Sequence, residues 1–298
     1  MATIKGLKPI MDDWISADIF SQYQKACKRY GLSLWPDTVF NTVQKDTELK
    51  SIDGKNRLTS TKAFGKPFEK HKHTDSIHVF ISRSKNRLQE GVKNGWYPLA
   101  IKGKIIEKPL IDVYKFGNNL GYPPCCIDFF NQHNNWLEYS FYYEILKNTR
   151  RGKKHLFTNP FLKDDTYSYI FHMPCSFRCK KTISHVNDIR TALLEEDRDF
   201  VQEIDKYLQF PFLVFRERKA YIFEGKIKNN KLFYDALHYV GQMPSCNTYE
   251  KELKMGDTLF IENYDVIILK KGHLVKKISC RNSRPVPEPP FLIQFDRY

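Results

Sequence analysis

The feature that most constrains the fold is a change in hydrophobic periodicity near residue 209. Before this point, in the stretch 181–208, Ile183, Val186, Ile189 and Leu193 form an apolar stripe at helical spacing. After it, stretches such as "FPFLVF" and "KLFYDAL" alternate with period two, which is typical of strands with one buried face. The chain is therefore predicted to be helical before this boundary and β-rich after it.

The β-rich part contains turn signals at short intervals. "KNN" at 228–230 separates "YIFEGKI" from "KLFYDAL" and predicts a hairpin, and "ENYD" and "KKGH" predict further turns. Such a series indicates an antiparallel sheet or a barrel-like module over residues 209–282. The following stretch, "RPVPEPPFLIQFDRY", is rich in proline in its first half and is expected to be extended.

The N-terminal part has a mixed pattern. Residues 13–31 are predicted to form a helix, 76–82 a strand, 85–95 a helix and 96–106 another strand, which suggests a small α/β unit. The fold class predicted for the whole chain is α+β, an N-terminal α/β and helical part followed by a C-terminal antiparallel β module. The predicted domains are 1–208, which contains the candidate site, and 209–298.

Composition narrows the class of protein. The 298 residues are 41% hydrophobic, enough for a buried core, yet no apolar run approaches the ~20 residues of a membrane helix. The N-terminus lacks the pattern of a secretory signal, so we expect a soluble, cytoplasmic protein with no membrane partner. Seven cysteines is an odd and low number, which disfavours a disulfide framework and favours metal binding or thiol chemistry.

The net charge suggests a partner. Lys and Arg number 48 against 34 Asp and Glu, a formal net charge of +14. The excess favours an anionic small molecule or nucleic acid, although a solvated basic surface is an equally good explanation. Basic clusters lie at 82–87, 150–155, 216–219 and 269–277.

Two short motifs contain the candidate site. Cys125 and Cys126 follow two prolines in "GYPPCC", and Cys175 and Cys179 follow a proline in "HMPCSFRC". A proline at the first position of a helix would place both pairs at helix starts, where exposed N–H groups and the helix dipole favour thiolate. His172, three residues before Cys175, is a further donor or an acid–base group. The four cysteines are the predicted metal ligands, and His172 is the predicted catalytic residue.

The nature of the group bound there is left open by the sequence. Adjacent residues of a regular helix point about 100° apart, so both thiols of the pair reach one small ion with difficulty. The alternatives are a multi-iron cluster, an ion held by one of the pair with His172 and the spaced pair, redox thiols without metal, or buried structural cysteines. Four thiolates bind iron–sulfur clusters or structural zinc, and zinc usually takes C-x2-C knuckles.

The paired cysteines and the later spaced pair resemble cysteine-rich domains that hold four-iron clusters. The resemblance covers only these two motifs, and Ile127 stands where those domains place a glycine. The C-x3-C-x2-C spacing of radical enzymes is absent, with Thr182 at the place of the third thiol. Walker, G-x-G-x-x-G, G-x-S-x-G and H-E-x-x-H motifs are absent as well.

The preferred hypothesis is an iron–sulfur enzyme, with a [4Fe–4S] cluster serving in redox, Lewis-acid or sulfur-transfer chemistry on an anionic substrate such as RNA. The second hypothesis is a zinc-stapled nucleic-acid-binding protein. The third is a metal-free thiol enzyme with a nucleophile at a helix start, Cys175 beside His172. A weaker candidate metal site is formed by His71 and His73 with His78, where a solvated basic stretch is the better explanation.

Overall fold

A computed structural model describes residues 2–42, 58–62, 76–94, 100–101, 104–105, 112–133, 141–162, 167–216, 219–240, 249–280 and 289–297. The chain divides into two compact units, Met1–Ile127 and Asp128–Tyr298. The boundary predicted at residue 208 coincides with a change from helices to strands and stays a prediction as a domain boundary.

The first unit is built on antiparallel strands. Its elements are β1 (Met11–Ser16), α1 (Phe20–Arg29), β2 (Ser33–Thr42), β3 (Leu58–Lys62), β4 (Ser76–Ser82), α2 (Lys85–Asn94), β5 (Ala100–Ile101), β6 (Lys104–Ile105), α3 (Val113–Asn119) and the start of α4 (Pro124–His133). Four strands form a sheet in the order β1-β4-β2-β3, and β5 pairs with β6. Strand β4 and helix α2 confirm the predictions for 76–82 and 85–95.

The helix predicted over 13–31 is shorter than expected. Residues up to Ser16 form β1, which pairs with β4 through contacts such as Trp14 opposite His78, and α1 begins only at Phe20. Pairing with a distant strand overrides the local helical pattern. Cys27 lies on α1 and is buried against the sheet beside Ile77 and Val79, a position typical of a structural thiol.

The second unit combines helices with a seven-stranded sheet. After the rest of α4 it contains α5 (Phe141–Thr149), α6 (Lys180–Leu194), α7 (Arg198–Gln209), β7 (Phe212–Arg216), β8 (Lys219–Lys228), β9 (Lys231–Val240), α8 (Glu250–Leu253), β10 (Thr258–Glu262), β11 (Asp265–Lys270), β12 (His273–Ser279) and β13 (Phe291–Ile293). The strand order is β12-β11-β10-β9-β8-β7-β13, and neighbouring strands of this sheet pair antiparallel. The α+β class with a C-terminal antiparallel sheet is confirmed.

The predicted hairpin turns are present. Asn229 and Asn230 have φ of 52° and 59° and join β8 to β9, as in a type I′ turn. Lys271 and Gly272, with φ of 50° and 83°, join β11 to β12 in the same manner. Asparagine and glycine tolerate positive φ, which is why these dipeptides predicted hairpins.

Strand β13 and the residues after it position the site. Strand β13 pairs with β7, and Phe295 lies just beyond it, fully buried against the rings of Phe177 and Phe212. Asp296 exchanges backbone hydrogen bonds with the segment at residues 154–156, at 2.7 and 3.0 Å. Residues 281–288, which contain most of the predicted proline-rich stretch, lie outside the described residues.

Candidate metal centre

The first cysteine motif is a tight junction between two helices. Gly121, with φ of 75°, ends α3 as its N–H donates to the carbonyl of Asn118, and the N–H of Tyr122 donates to the carbonyl of Gly117, both at 3.0 Å. The carbonyl of Pro123 then accepts from the N–H groups of Cys126 (2.8 Å) and Ile127 (3.1 Å). Pro124 is the first residue of α4, so both cysteines lie in its first turn.

The second cysteine motif is a turn followed by a helix. We expected a helix to begin at Pro174, but the structure begins α6 at Lys180, with Cys179 at its N-cap and the carbonyl of Cys179 accepting from Ile183 (3.0 Å). The N–H of Cys179 donates to the carbonyl of Ser176 at 3.1 Å and closes the turn. This turn brings Cys175 and Cys179 together without a shared helix face.

The backbone of this turn does not form a helix, because its N–H and carbonyl groups are hydrogen-bonded to neighbouring segments instead of to each other. The N–H of Phe177 donates to Thr149 Oγ1 (2.8 Å), and its carbonyl accepts from the N–H of His155 (2.9 Å). Asn148 Nδ2 donates to the carbonyl of Cys175 at 2.6 Å. The Phe177 ring is fully buried and anchors the turn in the core of the second unit.

The two motifs converge. The Sγ atoms of Cys125, Cys126, Cys175 and Cys179 all lie within 4.8 Å of one another. Cys126 and Cys179 are buried, whereas Cys125 and Cys175 are partly exposed, so one side of the cluster faces solvent. Four close cysteines of this kind can bind a metal ion.

His172 stands outside this group of donors. It is buried, and its Nε2 hydrogen-bonds Thr182 Oγ1 at 3.0 Å, where Thr182 is a fully buried residue in the first turn of α6. This contact ties the residues before the cysteine turn to the helix after it. The catalytic role expected for His172 stays a prediction.

The electrostatic setting suits a negatively charged centre. A divalent ion with four thiolates has a net charge of −2, and Cys125, Cys126 and Cys179 lie at the N-termini of α4 and α6. Each helix N-terminus is equivalent to roughly half a positive charge. Lys180 and Lys181 follow Cys179 and are exposed, which adds positive charge nearby. The arrangement stabilises the thiolate form that metal binding requires.

The remaining described cysteines lack these features. Burial raises the pKa of Cys27, and burial raises the pKa of Cys280 to about 11. Raised pKa values keep both thiols protonated at neutral pH, which is typical of structural cysteines. Cys246 lies outside the described residues.

Sequence reasoning missed a buried ionic network in the first unit. His78 Nδ1 lies 2.9 Å from Asp37 Oδ2, and its Nε2 lies 3.3 Å from Asp12 Oδ2. Asp37 is fully buried at a β-bulge, where Pro36 pairs with Val79 and Thr38 with His78. The bulge turns the extra residue toward the histidine. His71 and His73, the other members of the weaker candidate metal site, lie outside the described residues.

The network perturbs the protonation of its members. Burial lowers the pKa of His78, but hydrogen bonds to Asp12 and Asp37 outweigh it, and the net pKa is raised above 6.5. Burial raises the pKa of Asp12, yet its bond to His78 and the nearby charges of His78 and Lys8 lower the net pKa below 3.8. The two carboxylates therefore favour the charged form of the histidine.

Comparison with known proteins yields no relative for this arrangement. No protein-family model, no curated protein and no solved structure matches the chain. Among the helices that the structure describes, none has the length and apolar character needed to cross a membrane. The site itself is therefore the basis for assigning a function.

Proposed function

We propose that the chain is a metalloprotein in which Cys125, Cys126, Cys175 and Cys179 hold one tetrahedral ion, zinc, in a structural role. The observation that supports this most directly is the upper limit of 4.8 Å on the distances among the four sulfurs. Zn–S bonds of about 2.3 Å in a tetrahedron place the sulfurs about 3.8 Å apart. Inward shifts of an ångström or less therefore complete such a site.

The full set of four cysteines supports a structural rather than a catalytic zinc. Catalytic zinc keeps one coordination position open for water or substrate, whereas structural zinc is closed by four protein ligands. The ion would join the first turn of α4 to the turn before α6, two segments far apart in sequence. In this role the protein presents its basic surface to an anionic partner, either a small molecule or nucleic acid.

An iron–sulfur enzyme is the second candidate. The partial exposure of Cys125 and Cys175 favours it, because a cluster is larger than one ion and would extend toward the open side. Iron atoms and bridging sulfides would hold the thiolates farther apart than a single ion does, so both motifs would have to open. The cluster would supply redox or Lewis-acid chemistry on an anionic substrate, and His172 would be its acid–base group.

Metal and sulfide analysis of protein purified without oxygen separates these candidates. We expect one zinc per chain, no acid-labile sulfide and no visible absorption. Substitution by cobalt should give the colour of a tetrahedral thiolate site. Several irons with matching sulfide and a brown colour would favour the cluster instead. Metal-free protein with one rapidly alkylated cysteine would overturn both metal proposals and favour a thiol nucleophile.

Matched variants test the ligands. Cys126→Ala and Cys175→Ala should each lower the bound zinc to well below one per chain. Cys280→Ala removes a cysteine of the second unit that lies outside the cluster, so it should retain full zinc. Equal zinc in Cys175→Ala and Cys280→Ala would contradict the proposed ligand set.

A further inference from the structure

A groove lined largely by basic and amide side chains follows helix α6 in the second unit. One cavity of about 780 Å³ and a second of about 430 Å³ share two lining residues, Arg190 and Arg297. Because they share these residues, the two cavities are neighbours, and together they are called the groove. The basic residues along it are Lys180, Arg190, Arg198, Lys206, Lys226 and Arg297.

One face of α6 forms the floor of this groove. Lys180, Ser184, Asn187, Arg190 and Leu194 line it, and their spacing of three or four residues places them on one side of the helix. A helix of 15 residues is about 22 Å long at 1.5 Å per residue. The groove is therefore long enough for an extended ligand and exceeds what a small anion would fill.

The acidic residue in the groove is neutralised. Asp205 is buried and accepts hydrogen bonds from Arg190 at 2.7 and 2.9 Å, and Arg297 Nη1 lies 3.3 Å from it. Because its charge is balanced by two arginines, Asp205 orients their guanidinium groups and repels an anion only weakly. Lys180, Arg198 and Lys226 are exposed and form no ion pair with another described residue. Three cations thus remain for a ligand.

An aromatic ring and amides accompany these cations. Phe210 lines the larger cavity and is partly buried, with its ring parallel to that of His238 at 5.7 Å and the Lys206 ammonium 5.7 Å from the ring centre, so a stacked base would take the place of this lysine. Gln202, Gln209 and Gln294 lie in the same cavity and offer both donors and acceptors. Cations for phosphates, an aromatic face for stacking and amides for base edges are the combination that unpaired nucleotides require.

We infer that this groove binds single-stranded nucleic acid, with phosphates at Lys180, Arg198 and Lys226 and a base against Phe210. Single strands are favoured over duplex because bases reach an aromatic ring only when they are unpaired. The anionic nature of the partner comes from the proposed function, on which this inference rests. What is added here is the class of partner, single-stranded nucleic acid, and the groove that binds it. Lys180 directly follows Cys179, so the groove begins beside the metal centre.

Fluorescence anisotropy with a short labelled single-stranded RNA of mixed sequence tests the groove on metal-loaded protein. The double variant Arg198→Gln/Lys226→Gln should bind more weakly and flatten the plot of log K against log salt by about 1.4, since each phosphate contact on a single strand contributes about 0.7. Phe210→Leu should weaken binding by about fivefold or more, as expected for one stacked base.

The matched control removes two charges elsewhere. Lys251 and Lys276 are exposed residues of the second unit that do not line the groove, so Lys251→Gln/Lys276→Gln should leave the affinity and salt slope close to those of the wild type. Equal losses in the two double variants would show that total charge alone governs binding and would overturn the groove. Equal or tighter binding of a duplex of the same sequence would overturn the preference for single strands.

Zinc content, measured on the same samples, keeps the two proposals separate. Full zinc together with weak RNA binding in the groove variants supports the groove and leaves the metal proposal intact. Wild-type protein with one zinc but no RNA binding would overturn the groove alone. Wild-type protein that binds RNA through these residues but contains no zinc would overturn the metal proposal alone.

Discussion

Gly121 is required where it stands for two separate reasons. Its φ of 75° is in the left-handed region, and a Cβ there would lie 2.9 Å from Pro9 Cδ. Positive φ at a non-glycine residue costs about 1–3 kcal/mol, and the contact adds to it. The geometry that positions the first turn of α4 therefore depends on the absence of one side chain.

We predict that Gly121→Ala lowers the free energy of unfolding by about 2 kcal/mol or more and weakens zinc binding. The control is Gly31→Ala, because Gly31 has a comparable φ of 69° but nothing within 4 Å of the added Cβ. Denaturant unfolding and zinc competition with a chromophoric chelator measure the two effects. Equal destabilisation by both substitutions would show that the contact with Pro9 is unimportant.

His78 makes the stability of the first unit depend on pH. Since its folded pKa is raised above 6.5, its contribution is complete below that pH and is lost as the pH rises through the raised value. Asp12 has a lowered pKa, so its contribution is present above 3.8 and is lost as the pH falls through the lower folded value. Stability from this network should be greatest between these two limits.

We predict that Asp37→Ala destabilises the protein by about 3–5 kcal/mol near pH 6, because it leaves a buried charged histidine with one partner fewer. It should also reduce the loss of stability at alkaline pH. Glu90→Gln is the control, as Glu90 forms an exposed ion pair with Arg87 that contributes little. Denaturant titrations between pH 5 and pH 9 would test this, and parallel curves for wild type and Asp37→Ala would contradict the role of His78.

The sequence was sufficient to single out the four cysteines as candidate site residues. It was not sufficient to identify the contacts of His78 with Asp12 and Asp37. Pro-Cys at two positions suggested convergent donors because proline marks helix starts and thiols there are activated. Asp37 meets His78 only because a bulge turns it inward; Pro36 marks an irregularity in this strand, but nothing in the local sequence names the partner that Asp37 meets. Long-range strand register was the missing information.

At the scale of elements, the turn before α6 is held by α5. Thr149 Oγ1 accepts from the N–H of Phe177 at 2.8 Å and donates to the carbonyl of Ile145 at 2.6 Å, so one hydroxyl links helix and turn. The Thr149 hydroxyl and the N–H group of Phe177 are both buried. The shape of the turn that presents Cys175 and Cys179 thus depends on a residue that binds no metal.

We predict that Thr149→Val costs about 1–3 kcal/mol, because it leaves the buried N–H of Phe177 without its acceptor. Zinc affinity should fall with it. Thr191→Val is the matched control, since Thr191 Oγ1 donates at 2.9 Å to a carbonyl of its own helix at an exposed position. Unfolding and chelator competition would check both variants. Unchanged zinc affinity in Thr149→Val would show that the turn keeps its shape without this bond.

Helices, strands and turns could be predicted where the local sequence alone determines them. The hairpins at Asn229 and Gly272 follow from residues that tolerate positive φ, and the strand at 76–82 follows from alternation. The start of α1 and the start of α6 were misplaced, since strand pairing in one case and the buried Phe177 in the other take over the backbone hydrogen bonds. Tertiary partners of this kind leave no local signal.

At the scale of the whole molecule, the proposed zinc couples folding to metal concentration. A ligand that binds only the folded state adds about 2.7 kcal/mol at a free concentration of 100 times its Kd. We predict that a strong chelator lowers the melting temperature and that added zinc restores it. Cys280→Ala should show the same response, and Cys126→Ala should show none. A chelator-insensitive wild type would contradict a structural ion.

Whether the two cysteine motifs would meet could not be decided from the sequence. They are separated by α5 and by an irregular segment, so their approach depends on how those parts pack. Periodicity identifies helices and strands but contains no distance between segments. The α+β class was therefore predictable, whereas the cluster of four thiols was a hypothesis that only three-dimensional coordinates could address.

The contacts of Phe295 and Asp296 also impose an order of events during synthesis. The buried ring of Phe177 lies against Phe295, and the backbone of Asp296 bonds to residues beside His155. A nascent chain exposes all four cysteines long before the ribosome has made these later residues. The proposed zinc would therefore be bound securely only after strand β13 has emerged, and the four thiols would have to stay reduced and metal-free until then.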